Sequence, residues 1–164
     1  MVMRFLAALV SLFAALASPC VQARTVDGVV SHVTDGDTIW VRPADGGAPL
    51  HVRLQGIDAP ELCQTFGPQA RAALTARLLH QRVQLSLRAR DAYDRSVARV
   101  SLRGQDVGAW LVAEGYAWTS GYARRSGPYA EQQAQARLDR RGLWASHALE
   151  PRLFRRRHGR CPGA

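Results

Sequence analysis

Lysine is missing from this chain of 164 residues; all 22 basic side chains are arginine. Only 13 acidic residues oppose them, which leaves a net charge of +9 and a pI of about 10.9. So basic a balance implies a polyanionic partner: nucleic acid, an anionic membrane surface or an acidic polysaccharide. A GC-rich coding sequence also produces all-arginine usage, so that usage is not read as selection for phosphate. The five histidines (His32, His51, His80, His147 and His158) show no metal-ligand spacing, which leaves a zinc site unsupported. No nucleophilic serine motif is apparent. There is no internal repeat and no sign of a second domain. The length suits one domain, and 47% hydrophobic residues are enough to give it a core.

Cysteine is scarce, and its use depends on the first residues. Arg4 supplies a short positive segment, and Phe5 to Ala17 is an apolar run too short to span a bilayer comfortably. Val21-Gln22-Ala23 then places small residues where a signal peptidase cuts. We expect residues 1–23 to be a signal peptide cleaved after Ala23, with an uncleaved anchor as the alternative. A lipidated Cys20 is disfavoured because Pro19 precedes it. Cleavage removes one charged side chain, Arg4, and leaves Cys63 and Cys161 as an even pair in an exported chain. They can form a disulfide tying the C-terminal tail to the loop after Glu61, or remain two free thiols.

The rest of the chain reads as strands first and helices later. Thr25 to Val33 is a β-branched strand, Asp35-Gly36 a hairpin turn signal, and Thr38 to Val41 a second strand. Leu50 to Ile57 is a third, with Val52 and Leu54 on one face and His51, Arg53 and Gln55 on the other. Pro68 opens a helix that ends near Gln81. Val83 to Leu87 and Val97 to Leu102 are the fourth and fifth strands. Asp106 caps a helix through Glu114. Tyr116 to Trp118 is a short extended segment, and Pro128 to Arg141 a third helix. The domain covers residues 24–150, followed by a basic tail, 151–164, that is either ordered by contact or mobile; its arginine run reads as a solvated segment, with a specific binding role as the alternative. The fold class is α+β, rich in β: a five-stranded OB-fold barrel with about three packed helices.

Three separated places supply groups suited to one chemistry. Asp37 follows the first turn. Arg53, Asp58 and Glu61 lie on and after the third strand, in Arg53-Leu54-Gln55-Gly56-Ile57-Asp58-Ala59-Pro60-Glu61. Arg95 precedes the fifth strand, with Tyr93 nearby. Asp37 and Asp58 are hard oxygen ligands for a divalent cation. Glu61 can orient or deprotonate a water. Arg53 and Arg95 can neutralise charge building on a phosphoryl group. That inventory serves a phosphodiester hydrolase.

At these residues the chain resembles the staphylococcal nuclease family. The matching motifs are Asp35-Gly36-Asp37-Thr38, Val52 to Glu61, Tyr93-Asp94-Arg95 and Arg141-Gly142-Leu143-Trp144. The resemblance runs from Val26 to Ala145. It implies an OB barrel and Ca²⁺-dependent cleavage of DNA and RNA at the bond to the 5′ oxygen, leaving 3′-phosphate ends. It also implies Ca²⁺ held by Asp37, Asp58 and the carbonyl of Ala59, with Arg53, Glu61 and Arg95 at the catalytic positions. Tyr93 is expected to contact nucleic acid, and Tyr122 is a shifted candidate for base stacking. The chain departs from the family at Ala92, where a lysine is usual, at Gln133, where a glutamate is common, and in its short loop between Glu61 and Gly67.

The expected protein is a periplasmic or secreted monomer with no membrane association after cleavage. It acts on nucleic acid without strong sequence specificity, because the groups identified address phosphate and not base edges. Two other classes stay open: a non-catalytic nucleic-acid-binding OB module, and a basic structural protein of the cell envelope.

Overall fold

The computed structural model describes residues 24–121, 126–146, 148–159 and 161. Residues 1–23, with the expected signal segment, lie outside the described residues, as does Tyr122. Five strands make the barrel: β1 (Arg24–Val33), β2 (Thr38–Pro43), β3 (Leu50–Leu54), β5 (Arg82–Arg90) and β6 (Ser96–Leu102). β1 pairs antiparallel with β2 and β5, β2 with β3, and β5 with β6. A parallel pairing of β3 with β6 closes the ring, as an OB-type barrel requires. Register shifts between Val30 and His32 and between Leu87 and Ala89 bend the two long strands around the barrel.

Alternation decides which side chains fill the interior. Val30, Ile39, Val41, Val52, Leu85 and Val100 are fully buried, or nearly so, at every second position of their strands. α1 (Gly67–Leu78) lays Leu74 and Leu78 on this core, and α2 (Val107–Ala113) adds Val107 and Leu111. Asp106, in the two-residue strand β7 (Gln105–Asp106), caps α2 by accepting from the Ala109 amide at 3.1 Å. α3 (Ala130–Leu138) and a 3₁₀ turn at Gly142–Ala145 complete the domain side.

The third strand is shorter than its apolar pattern predicts. It stops at Leu54 because Gly56 takes a φ of +78°, a turn conformation that costs glycine little. Ile57–Asp58 then form β4, which pairs with β8 (Trp118–Thr119) and not with the barrel. Gln133 supports that small ladder by accepting from the Thr119 amide at 3.0 Å. The turn therefore carries Asp58 out of the barrel wall towards its mouth.

The tail differs more. Residues expected to be a solvated run form a fourth helix, α4 (Pro151–His158), bounded by Pro151 in its first turn and by Gly159 at a φ of +76°. Cys63 and Cys161, 98 residues apart, form a disulfide with their Cα atoms 5.6 Å apart. Among the described residues no helix is long and apolar enough to cross a membrane.

Candidate functional site

The turn between β1 and β2 fits against the residues after β4 because position 36 has no side chain. A Cβ on Gly36 would lie 2.7 Å from the Ala59 Cβ and 2.9 Å from that of Ala70. This approach delivers Asp37 to Ala59, whose amide donates to Asp37 Oδ2 at 2.8 Å. The Thr38 hydroxyl donates to Asp37 Oδ1 at 3.1 Å, and the Asp37 amide donates to Asp35 Oδ1 at 2.9 Å. Asp37 is buried with only 6% of its surface exposed, so its charge requires the partners it has.

Arg53 supplies the main one. It stands opposite Thr38 in the β2–β3 ladder, and its guanidinium is ion-paired with Asp37. Its Nη2 also donates to Asp58 Oδ1 at 3.1 Å. One guanidinium thus joins the two carboxylates expected to hold a metal. Burial works against the Arg53 charge, while Asp58 and Asp35 favour it. Burial also raises the pKa of Asp35 above its ordinary value, against the pull of Arg53.

Arg95 is set by a tight turn between β5 and β6. Asp91 Oδ1 accepts from the amides of Tyr93 and Arg95 at 2.9 and 3.0 Å, while Asp91 Oδ2 accepts from Arg95 Nε at 2.8 Å. Asp94 completes the turn at a φ of +58°. The Arg95 guanidinium lies 5.2 Å from the centre of the Tyr93 ring, which is more than half exposed.

These groups share a cleft of about 500 Å³ that Asp37, Ala59, Glu61, Tyr93 and Arg95 line together. The fold therefore gathers Asp37, Arg53, Asp58, Ala59, Glu61, Tyr93 and Arg95 in one place. Glu61 does not pair with Arg53. Its partner is Arg155 of α4, whose Nη1 donates to Glu61 Oε1 at 2.8 Å. Arg155 Nη2 donates to Asp58 Oδ2 at 2.9 Å. Burial disfavours the Arg155 charge, but the hydrogen bonds to Asp58 and Glu61 outweigh it and raise its pKa.

Arg155 is not legible as a site residue in the sequence, because the residues around it look like a tail. Pro151, Gly159 and the cysteine at 161 were its available signals. Two more residues went unassigned. Asp91 fixes the Arg95 side chain. His51 lines the cleft beside Arg53 and stacks flat on Trp40, ring centres 4.5 Å apart. Burial, then the nearby Arg95, lowers the His51 pKa and favours its neutral form.

The donor set is all oxygen, which suits a hard divalent cation that keeps part of its water shell. Among the described residues no three His, Cys, Asp or Glu side chains are arranged to share a metal. The expected ligands are two carboxylates and a backbone carbonyl, so this does not conflict with them.

A closed OB-type barrel with an arginine–carboxylate cluster at its mouth defines the class of this protein. The family model described as staphylococcal nuclease homologue matches residues 51–146. That span contains Arg53, Asp58, Glu61 and Arg95, and Asp37 precedes it. A Haemophilus influenzae protein named as an uncharacterized endonuclease is 31% identical over 140 residues, covering 85% of this chain and 78% of that protein. A micrococcal nuclease of Shigella flexneri is 35% identical over 141 residues, covering 79% and 80%. A probable endonuclease of the fungus Leptosphaeria maculans is 38% identical over 122 residues, although this chain covers only 40% of its length. The chain belongs to the staphylococcal nuclease family, and it is a nuclease.

Proposed function

We propose that this nuclease is an exported, Ca²⁺-dependent phosphodiesterase that cleaves DNA and RNA with little regard for sequence and leaves 3′-phosphate ends. The observation that carries this reading is the bridging of Asp37 and Asp58 by Arg53, in the cleft that also holds Glu61 and Arg95. Asp37, Asp58 and the Ala59 carbonyl would hold the cation. When bound, it would neutralise a phosphate oxygen and act as a Lewis acid.

The chain's own residues do the rest. Glu61 orients a water and takes its proton as the water oxygen attacks phosphorus. Arg53 and Arg95 bind the phosphoryl oxygens as charge grows on them, and such preorganised donors are commonly worth about 3 kcal/mol each. The bond to the 5′ oxygen breaks, and that oxygen acquires a proton from solvent. The phosphate stays on the 3′ side. All of these contacts are to phosphate, so they carry no base information. Tyr93 offers an exposed ring for a base. Export rests on the apolar run and cleavage pattern within residues 1–23, and a disulfide suits an oxidising compartment.

The test is cleavage of end-labelled single-stranded DNA, duplex DNA and RNA by mature protein, with Ca²⁺ and then with a chelator, beside Glu61→Gln. Expected are Ca²⁺-dependent cutting, 3′-phosphate products and a loss of about a hundredfold or more in the variant. Salt-sensitive binding without cleavage, equal in both proteins, would leave the non-catalytic OB module as the better reading.

A further inference from the structure

Arg155 reaches the cleft from the far end of the chain and takes the oxygens of two carboxylates at once. Its Nη1 donates to Glu61 Oε1 at 2.8 Å and to Asp58 Oδ1 at 3.2 Å, and its Nη2 to Asp58 Oδ2 at 2.9 Å. Both oxygens of Asp58 are thereby engaged by the same guanidinium, and Oδ1 also accepts from Arg53. The Arg155 side chain is 32% exposed, so these bonds are partly withdrawn from water.

α4 is held there by the residues that follow Glu61. Cys63 carries the disulfide to Cys161, and its amide donates to Cys161 Sγ at 2.9 Å. Gln64 is buried; it accepts from the Glu61 amide at 3.2 Å and donates to the Leu149 carbonyl just before the helix. The short loop that carries Glu61 therefore also carries the anchors of the arginine that binds Glu61.

A guanidinium and a hard divalent cation seek the same carboxylate oxygens, and they repel each other at contact range. We propose that Arg155 is a resident cation that a divalent metal must displace from Asp58 and Glu61, so that Arg155, held by α4 and its disulfide, sets the metal affinity of the site. This rests on the reading that Asp37 and Asp58 hold the metal. Arg155 is thus a positioning residue. It keeps Asp58 and Glu61 neutralised and in place before the metal arrives, and it lowers the affinity with which the metal binds.

The experiment is a calorimetric titration of the full mature chain with Ca²⁺ alone, without nucleic acid. Arg155→Gln is expected to bind Ca²⁺ about tenfold more tightly than the parent, with Arg155→Lys in between. Arg156→Gln, which removes the same charge from an exposed neighbour, is expected to bind as the parent does. The Cys63→Ser/Cys161→Ser protein, with the anchor released, is expected to move in the same direction as Arg155→Gln. Circular dichroism confirms that each variant is folded. Asp58→Asn separates the two readings. If it abolishes binding while Arg155→Gln binds no more tightly than Arg156→Gln, the displacement idea is overturned and the metal site stands. If Asp58→Asn binds Ca²⁺ as the parent does, the metal reading fails and the displacement idea fails with it.

Discussion

Asp91 holds Arg95 twice, accepting from its backbone amide at 3.0 Å and from its side-chain Nε at 2.8 Å. The carboxylate thus aims a guanidinium that the cleft needs at one edge. Asp91→Asn keeps an oxygen for the turn but removes the charge that orients the side chain. Cleavage is expected to fall about tenfold to a hundredfold, as for other groups that orient a functional side chain. Steady-state kinetics on a short oligonucleotide read this out. Unchanged kcat/KM would mean that Arg95 needs no such support.

Arg53 is the group whose loss is felt most widely. Arg53→Gln leaves buried Asp37 beside Asp58 without the guanidinium that joins them. Metal-free stability is expected to drop by about 3 kcal/mol, because an uncompensated buried charge remains. Ca²⁺ should restore part of that loss, while activity stays down by a factor on the order of 10²–10³. Urea unfolding with and without Ca²⁺ measures the first effect; an unaltered midpoint would contradict it.

Asp35 holds its proton more readily in the folded chain than its ordinary value of 3.8 implies, chiefly through burial. Above that value the unfolded chain ionises first, so this group costs stability as pH rises. Asp35→Asn is therefore expected to melt higher than the parent at pH 7. The advantage should vanish below about pH 4. A difference in Tm that is independent of pH would rule this account out.

Tyr129 donates its hydroxyl to Asp106, with oxygens 3.0 and 3.1 Å away, and burial together with that carboxylate pushes its pKa up to about 12. Its contribution is intact below pH 10 and is lost between pH 10 and about 12, since the unfolded chain ionises first. The difference is worth on the order of 2–3 kcal/mol. Tyr129→Phe should lack this alkaline loss while costing about 1 kcal/mol at neutral pH. Denaturation curves taken across that range would show the parent more stable than the variant at neutral pH and less stable than it near pH 12, the two curves crossing between; parallel curves would refute the assignment.

The disulfide closes a long loop. In the chain-entropy account such a bond contributes about 4–5 kcal/mol. Cys63→Ser/Cys161→Ser should lower Tm accordingly. Its barrel should keep its circular dichroism, because the five strands and their core contain neither cysteine.

What the sequence determined by itself was the barrel and the inventory of its mouth. Alternating Val, Ile and Leu mark the strands because each buries one face, and the Gly and Asp punctuation marks the turns between them. Asp37, Arg53, Asp58, Glu61 and Arg95 were legible because their chemistry sits in short motifs at turns, where local rules hold. Tertiary structure alone decided who meets whom. Gly56 ended the third strand early and sent Asp58 to pair beside Trp118, and no local pattern distinguishes that from a longer strand. Arg155 reached Glu61 across 94 residues because α4 is anchored at Cys161 and beside Gln64. A basic run has no periodicity that names its partner. Its place depends on charge and chain closure between residues far apart in sequence, which only the folded barrel brings within contact range.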